Sequence, residues 1–168
     1  MICNIQETGN MIKKKSSFKD LLLLDNGHIQ TNPWGITGFT NSPTQGTNQI
    51  GFQLIYGSTQ TGTQTKLCST NAVIDWSKYK HIRITYNMGL ENRSGFVGQA
   101  NGQIRIGNTA IVNRNRTQST AGYITETLNV PSTAKEVLSL YGYLNKTNTF
   151  GVGGSVDLWV NKIELLVK

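Results

Sequence analysis

Ile82, Ile84, Tyr86 and Met88 occupy every second position of one stretch, with Arg83, Thr85 and Asn87 between them. A period of two belongs to a strand, whose successive side chains point to opposite faces; a helix would scatter these four residues around its circumference. One face of this strand is therefore core, and the other, which also carries His81, meets water or a partner. Just upstream, the carboxylate of Asp75 can accept the free backbone N–H groups of a single helical turn before the strand begins.

The same reading extends along the chain. Leu21 to Leu24 is a short apolar run closed by Asp25-Asn26-Gly27, a buried strand and its turn. Ile50, Phe52, Leu54 and Tyr56 alternate against Gln49, Gly51, Gln53 and Ile55. Residues 59–65, rich in Thr, Gln and Gly, read as a loop tip ahead of a short strand over 66–70. Asn101-Gly102 is a hairpin signal and predicts arms over 96–99 and 103–107. Over 123–130, Ile124, Leu128 and Val130 share a row with Glu126; over 137–144, Leu138, Leu140 and Leu144 point inward while Val137, Ser139, Tyr141 and Tyr143 point outward. The final strand changes phase between Val160 and Ile163, which requires a bulge near Asn161-Lys162, because a slip of one residue exchanges the two faces.

Only 15% of residues are charged, and 18 glycines stand against 3 prolines, a balance that suits strands joined by polar loops better than helices. Eight to ten short strands with at most one helical turn predict an all-β fold: an antiparallel β-sandwich, jelly-roll-like, over residues 21–168. A chain of 168 residues needs no second core. Residues 1–20 read as a separate N-terminal arm carrying Lys13, Lys14 and Lys15 without any sustained period. Two readings of it stand, a frayed terminus and a segment docked on a partner subunit.

Sixteen Lys and Arg against nine Asp and Glu give a net charge of +7, which favours an acidic partner such as nucleic acid, teichoic acid or an anionic glycan. Apart from Lys13 to Lys15 and the Arg114/Arg116 pair the basic residues are scattered, which argues against nucleic acid. Cys3 and Cys68 lack any metal-binding spacing and read as free thiols, with a disulfide between them left open. No signal peptide is recognised at the N-terminus, and Leu21 to Leu24 falls far short of the roughly 20 apolar residues that cross a bilayer, so no membrane insertion is expected.

Catalysis has little to work with. His28 and His81 lie in different elements, and glycoside hydrolysis needs two carboxyl groups facing across a cleft, whereas Asp25 and Asp75 sit at turns and Asp157 on an outward position. Glu126 is the anomaly, since a carboxylate on an apolar row must be paired, lie near the sheet end or serve a site. A non-enzyme with no cofactor and no metal is the expectation. Tyr141 and Tyr143 form an outward aromatic ladder that stacks on sugar rings, packs into a subunit interface, or is covered by a loop of the same chain. Arg105 and Arg83 are the hydrogen-bond donors expected beside it if their strands share that sheet. Trp34 and Trp76, at turn or loop positions, either plug the ends of the sandwich or project from it, and plugging is the expectation.

The run Ala72-Val73-Ile74-Asp75-Trp76-Ser77-Lys78-Tyr79-Lys80-His81-Ile82-Arg83-Ile84 resembles the hydrophobic-Asp-x-(Ser/Thr)-x-Tyr-x-x-hydrophobic signature of β-sandwich domains in bacteriophage virion proteins, which look like carbohydrate-binding modules. Residues 154–165 are similar to their closing strand. This resemblance implies a non-enzymatic virion structural protein, either capsid-decorating or tail- or fibre-associated, assembled in the host cytoplasm. It implies other virion proteins as partners, a homo-oligomer, and contact with host-surface glycan. The alternative is a stand-alone bacterial carbohydrate-binding module or lectin, which an export signal would have favoured. Residues 1–20 carry no part of the resemblance.

Overall fold

The computed structural model describes residues 19–41, 43–131 and 135–168. Among them run β1 (Leu21–Asp25), β2 (His28–Ile29), β3 (Thr44–Gln45), β4 (Ile50–Tyr56), β5 (Gly62–Ser69), β6 (Ile74–Asp75), β7 (Tyr79–Leu90), β8 (Gly98–Ile106), β9 (Thr109–Asn115), β10 (Ile124–Asn129), β11 (Lys135–Glu136), β12 (Leu138–Lys146) and β13 (Gly154–Val167). Single 3-10 turns occupy Trp76–Lys78 and Arg116–Gln118. The strands exceed the eight to ten expected because β2, β3, β6 and β11 have two residues each, too few to show a period.

The expected antiparallel, jelly-roll-like sandwich is present. Its larger sheet runs β10-β7-β13-β1-β2, with β4 also paired to β13 and β3 to β4; its smaller sheet runs β5-β12-β8-β9. The pairing of β13 with β7 slips between Val160 and Lys162, where the phase change demanded it. Before the slip β13 lies against β4, and after it against β1. Both halves thereby keep their apolar residues inward: Val160 and Ile163 are each fully buried.

The inner faces carry the alternations read from the sequence. Ile82, Ile84, Tyr86 and Met88 of the larger sheet and Ile104, Ile106, Leu138 and Leu140 of the smaller are all 0% exposed, and burial of each such side chain stabilises by roughly 1.5–3 kcal/mol. Two glycines of the smaller sheet admit large partners from the other: Gly102 sits beneath Met88, and a Cβ on Gly142 would come within 2.5 Å of the Phe52 ring. That packing corrects the hairpin reading of Asn101-Gly102. The pair lies mid-strand in β8, and the chain reverses instead at Gly107-Asn108, where Gly107 takes φ +56°. Residues 62–65, expected in a loop tip, are part of β5, an edge strand that tolerates polar side chains on its open face.

Asp75 caps the 3-10 turn as expected, accepting Ser77 N–H at 3.2 Å and Ser77 Oγ–H at 2.5 Å. The Ser77 hydroxyl holds its carboxyl below the ordinary aspartate range. Trp76 is buried and donates its indole N–H to the Glu136 carbonyl at 2.9 Å, which makes it the expected plug; Trp34 is half-buried and packs edge-on against Tyr79. Lys13, Lys14 and Lys15, with the arm that carries them and Cys3, lie outside the described residues. Cys68 is a buried free thiol, and burial pushes its pKa up.

Candidate functional site

The outward residues of the smaller sheet fall into rows that the register fixes. One row runs Leu67, Tyr141, Gln103, Asn113; the next runs Thr65, Tyr143, Asn101, Asn115. Strand alternation puts both tyrosines on this face, half-buried and side by side, and neither phenol hydroxyl has a hydrogen-bond partner among the described residues. Beside them the amides bind one another: Gln103 Nε2 donates to Asn113 Oδ1 at 3.1 Å, and Asn101 Nδ2 donates to the same oxygen at 2.9 Å and to the Arg114 carbonyl at 2.8 Å.

Arg105 completes the row above. Its guanidinium lies 3.9 Å over the centre of the Tyr141 ring, and its Nε donates to Gln103 Oε1 at 2.6 Å. The ladder between β8 and β9 bulges beside it, between Ile104 and Arg105, a device that re-aims side chains next to sites. Together these residues border an open cleft of about 470 Å³, within the range of small-ligand sites, and Gly98, Gln99, Ala100, Asn115 and Arg116 extend it toward one end. Arg116 is set there by a capping box: Asn115 Oδ1 accepts Thr117 N–H at 3.1 Å, and Gln118 Oε1 accepts Asn115 N–H at 3.1 Å. The Arg116 guanidinium rests 5.2 Å over the Phe96 ring.

The structure therefore brings Tyr141, Tyr143 and Arg105 into one cleft and separates Arg83 from them. Arg83 faces outward, as its parity requires, but β7 belongs to the larger sheet, where Arg83 donates to Thr127 Oγ1 and Glu164 Oε2, each at 3.4 Å. Alternation gives the face of a strand and is silent about which sheet the strand joins. Gln103, Asn101 and Asn113 were not expected as site residues, and Arg116 entered only as half of a basic pair. The signal for the first two was present as Gln99, Asn101, Gln103 and Arg105 at alternate positions, hidden by reading Asn-Gly as a turn.

Glu126 proves to be paired. Arg114 Nη2 reaches Glu126 Oε1 at 2.7 Å, Tyr86 donates its hydroxyl to Glu126 Oε2 at 2.7 Å, and Arg114 Nε donates to the Tyr86 oxygen at 2.8 Å. Burial first, and then the Glu126 carboxylate, push the Tyr86 pKa up to about 12. A second recess, on the larger sheet, holds Glu91, Arg93 and Asp157. Arg93 grips Glu91 by both oxygens, at 2.7 and 2.6 Å, and holds that carboxyl below its usual range. Burial raises the Asp157 carboxyl, against the 2.6 Å bond that it accepts from Gln53. No group of three metal-ligating side chains occurs among the described residues.

No family model and no curated protein matches this chain. Among solved structures, the Stig cyclase Fisc from Fischerella sp. TAU, in complex with a pyrrolidinylidene indole, is similar over 91% of both chains at 15% identity and a TM-score of 0.39. A CBM4 chain is similar over 77% of this chain and 90% of that one, at 14% identity and a TM-score of 0.34. Likenesses this distant assign no role to any residue.

Proposed function

We propose that the protein is a non-catalytic binding module whose smaller-sheet face takes carbohydrate, displayed on a virion among other virion proteins as the motif resemblance implies. The observation that carries the binding half is the pairing of two half-buried tyrosines with a network of side-chain amides in one open cleft. Aromatic rings offer stacking area for the C–H faces of sugar rings, and amides both donate to and accept from hydroxyls. The non-catalytic half follows the motif resemblance and is supported, as far as glycoside hydrolysis goes, by a lining without a pair of carboxyl groups.

The test is the double variant Tyr141→Ser/Tyr143→Ser on an array of bacterial surface polysaccharides, with sedimentation run beside it. Binding should weaken by roughly tenfold or more, while the melting temperature stays within a few degrees of the parent because both rings are outside the apolar core. A parent oligomer that the substitutions dissolve, without any glycan bound by the parent, would make the face a subunit contact instead.

A further inference from the structure

Resting on the carbohydrate reading of this cleft, we infer that its ligand is an acidic glycan, one anionic substituent of which is held end-on by Arg105 while Arg116, toward the other end of the cleft, meets a further one along the polymer. The charges in and around the cleft carry the inference. Its lining contains two arginines and no carboxylate, and among the described residues neither guanidinium has an ion-pair partner. Of the acids on neighbouring elements, Glu126 holds Arg114 and Glu91, whose field Arg116 also reaches, is gripped at both oxygens by Arg93, while the Glu136 carboxyl packs at Gly107, past the end of β8 and outside the lining. A neutral sugar seated over Arg105 would take water from that charge and return no counter-charge.

Geometry then says which end of Arg105 does the reading. Its Nε is engaged by Gln103 and one face of its plane lies on Tyr141, so the guanidinium is held in orientation with both terminal nitrogens unbonded among the described residues. Two parallel N–H groups presented in a fixed fork match two oxygens of one anionic group, the carboxylate of a uronic acid or the phosphodiester of a teichoic-type polymer. These sources share the oxyanion chemistry, and the experiment separates them.

The full chain is titrated calorimetrically against polygalacturonate, a glycerol-phosphate teichoic acid and a neutral β-glucan, at low and at physiological salt. At least one acidic polymer should bind about tenfold or more tightly than the neutral one, and whichever binds identifies the source. Arg105→Gln should remove that preference with an unchanged melt, and Arg105→Lys should fail to restore it because an ammonium cannot form the fork. Arg116→Gln should lower acidic binding by a smaller factor. Equal affinity for acidic and neutral polymers, or an acidic preference that survives both glutamine substitutions, overturns the inference and leaves the carbohydrate reading intact. If no polymer binds, in this set or on the array, the carbohydrate reading itself fails and the inference with it.

Discussion

Lys146 is a charged side chain with no exposed surface, pointing inward at the end of β12, where an apolar residue would continue the row of Leu138, Leu140 and Leu144. Its ammonium donates to the carbonyls of Ser58, at 2.9 Å, Gln60, at 3.0 Å, and Asn148. Three donors thus meet three acceptors, and backbone dipoles take the place of water around the charge. The consequence is structural: one side chain ties the turn after β4 and the loop after β12 to the core. Replacing Lys146 with Met keeps the stem and removes the donors, leaving the three carbonyls unanswered, and should lower unfolding stability by about 2–4 kcal/mol in a urea titration. A loss below about 0.5 kcal/mol would mean that those carbonyls reach water without it. None of this was legible in the sequence, where the polar position simply ended the apolar alternation.

At the scale of elements, a sandwich of two open sheets has two edges to close, and side chains close both here. On one edge Gln64 of β5 exchanges two hydrogen bonds with the backbone of Ile55 in β4, at 3.3 and 3.1 Å. On the other, Arg114 of β9 joins Glu126 of β10 and Tyr86 of β7. The second closure gives a pH signature. The Tyr86 pKa is raised on folding from 10 to about 12, so its contribution is fully present below pH 10 and is lost as pH climbs from 10 through 12. Its size, at 1.36 kcal/mol per unit, is about 2–3 kcal/mol. Tyr79 and Tyr123 are also raised, chiefly by burial, so the test is a difference: Tyr86→Phe should lose stability less steeply than the parent across that window. Parallel curves would show that the hydroxyl adds nothing. The sequence did flag Glu126 as requiring an explanation, because its row is apolar, but its ionic partner Arg114 lies on the other sheet and no local pattern could name it. The same limit separates Arg105 from Arg83: alternation put both on outward faces, and only pairing between distant strands decided which shares a sheet with the tyrosines. Where a pattern is local and long, as in β7 or in the two phases of β13, the strand and even its bulge were readable.

For the whole molecule, the connectivity is dominated by pairings that join distant parts of the chain. The long strand β13 is flanked on one side by β7 and on the other by β4 and then β1, with Leu21 paired to Leu165 and Tyr56 to Gly154. The larger sheet therefore has no centre until residues 154–167 are in place, and the smaller sheet has no apolar surface to pack against until the larger one exists. Loop closure between partners so far apart must precede the contacts that compensate for it, which puts sandwiches of this kind at refolding times of milliseconds to seconds. We expect refolding from urea in that range. Deleting residues 154–168 should leave a chain without the strand absorption of the parent or a cooperative melt, even though the residues of the cleft are all retained, since the face that presents Tyr141, Tyr143 and Arg105 is held flat only by the sheet behind it. A truncated chain that melts cooperatively and still presents the cleft would show that the smaller sheet is stable alone, and the dependence of the site on β13 would be refuted.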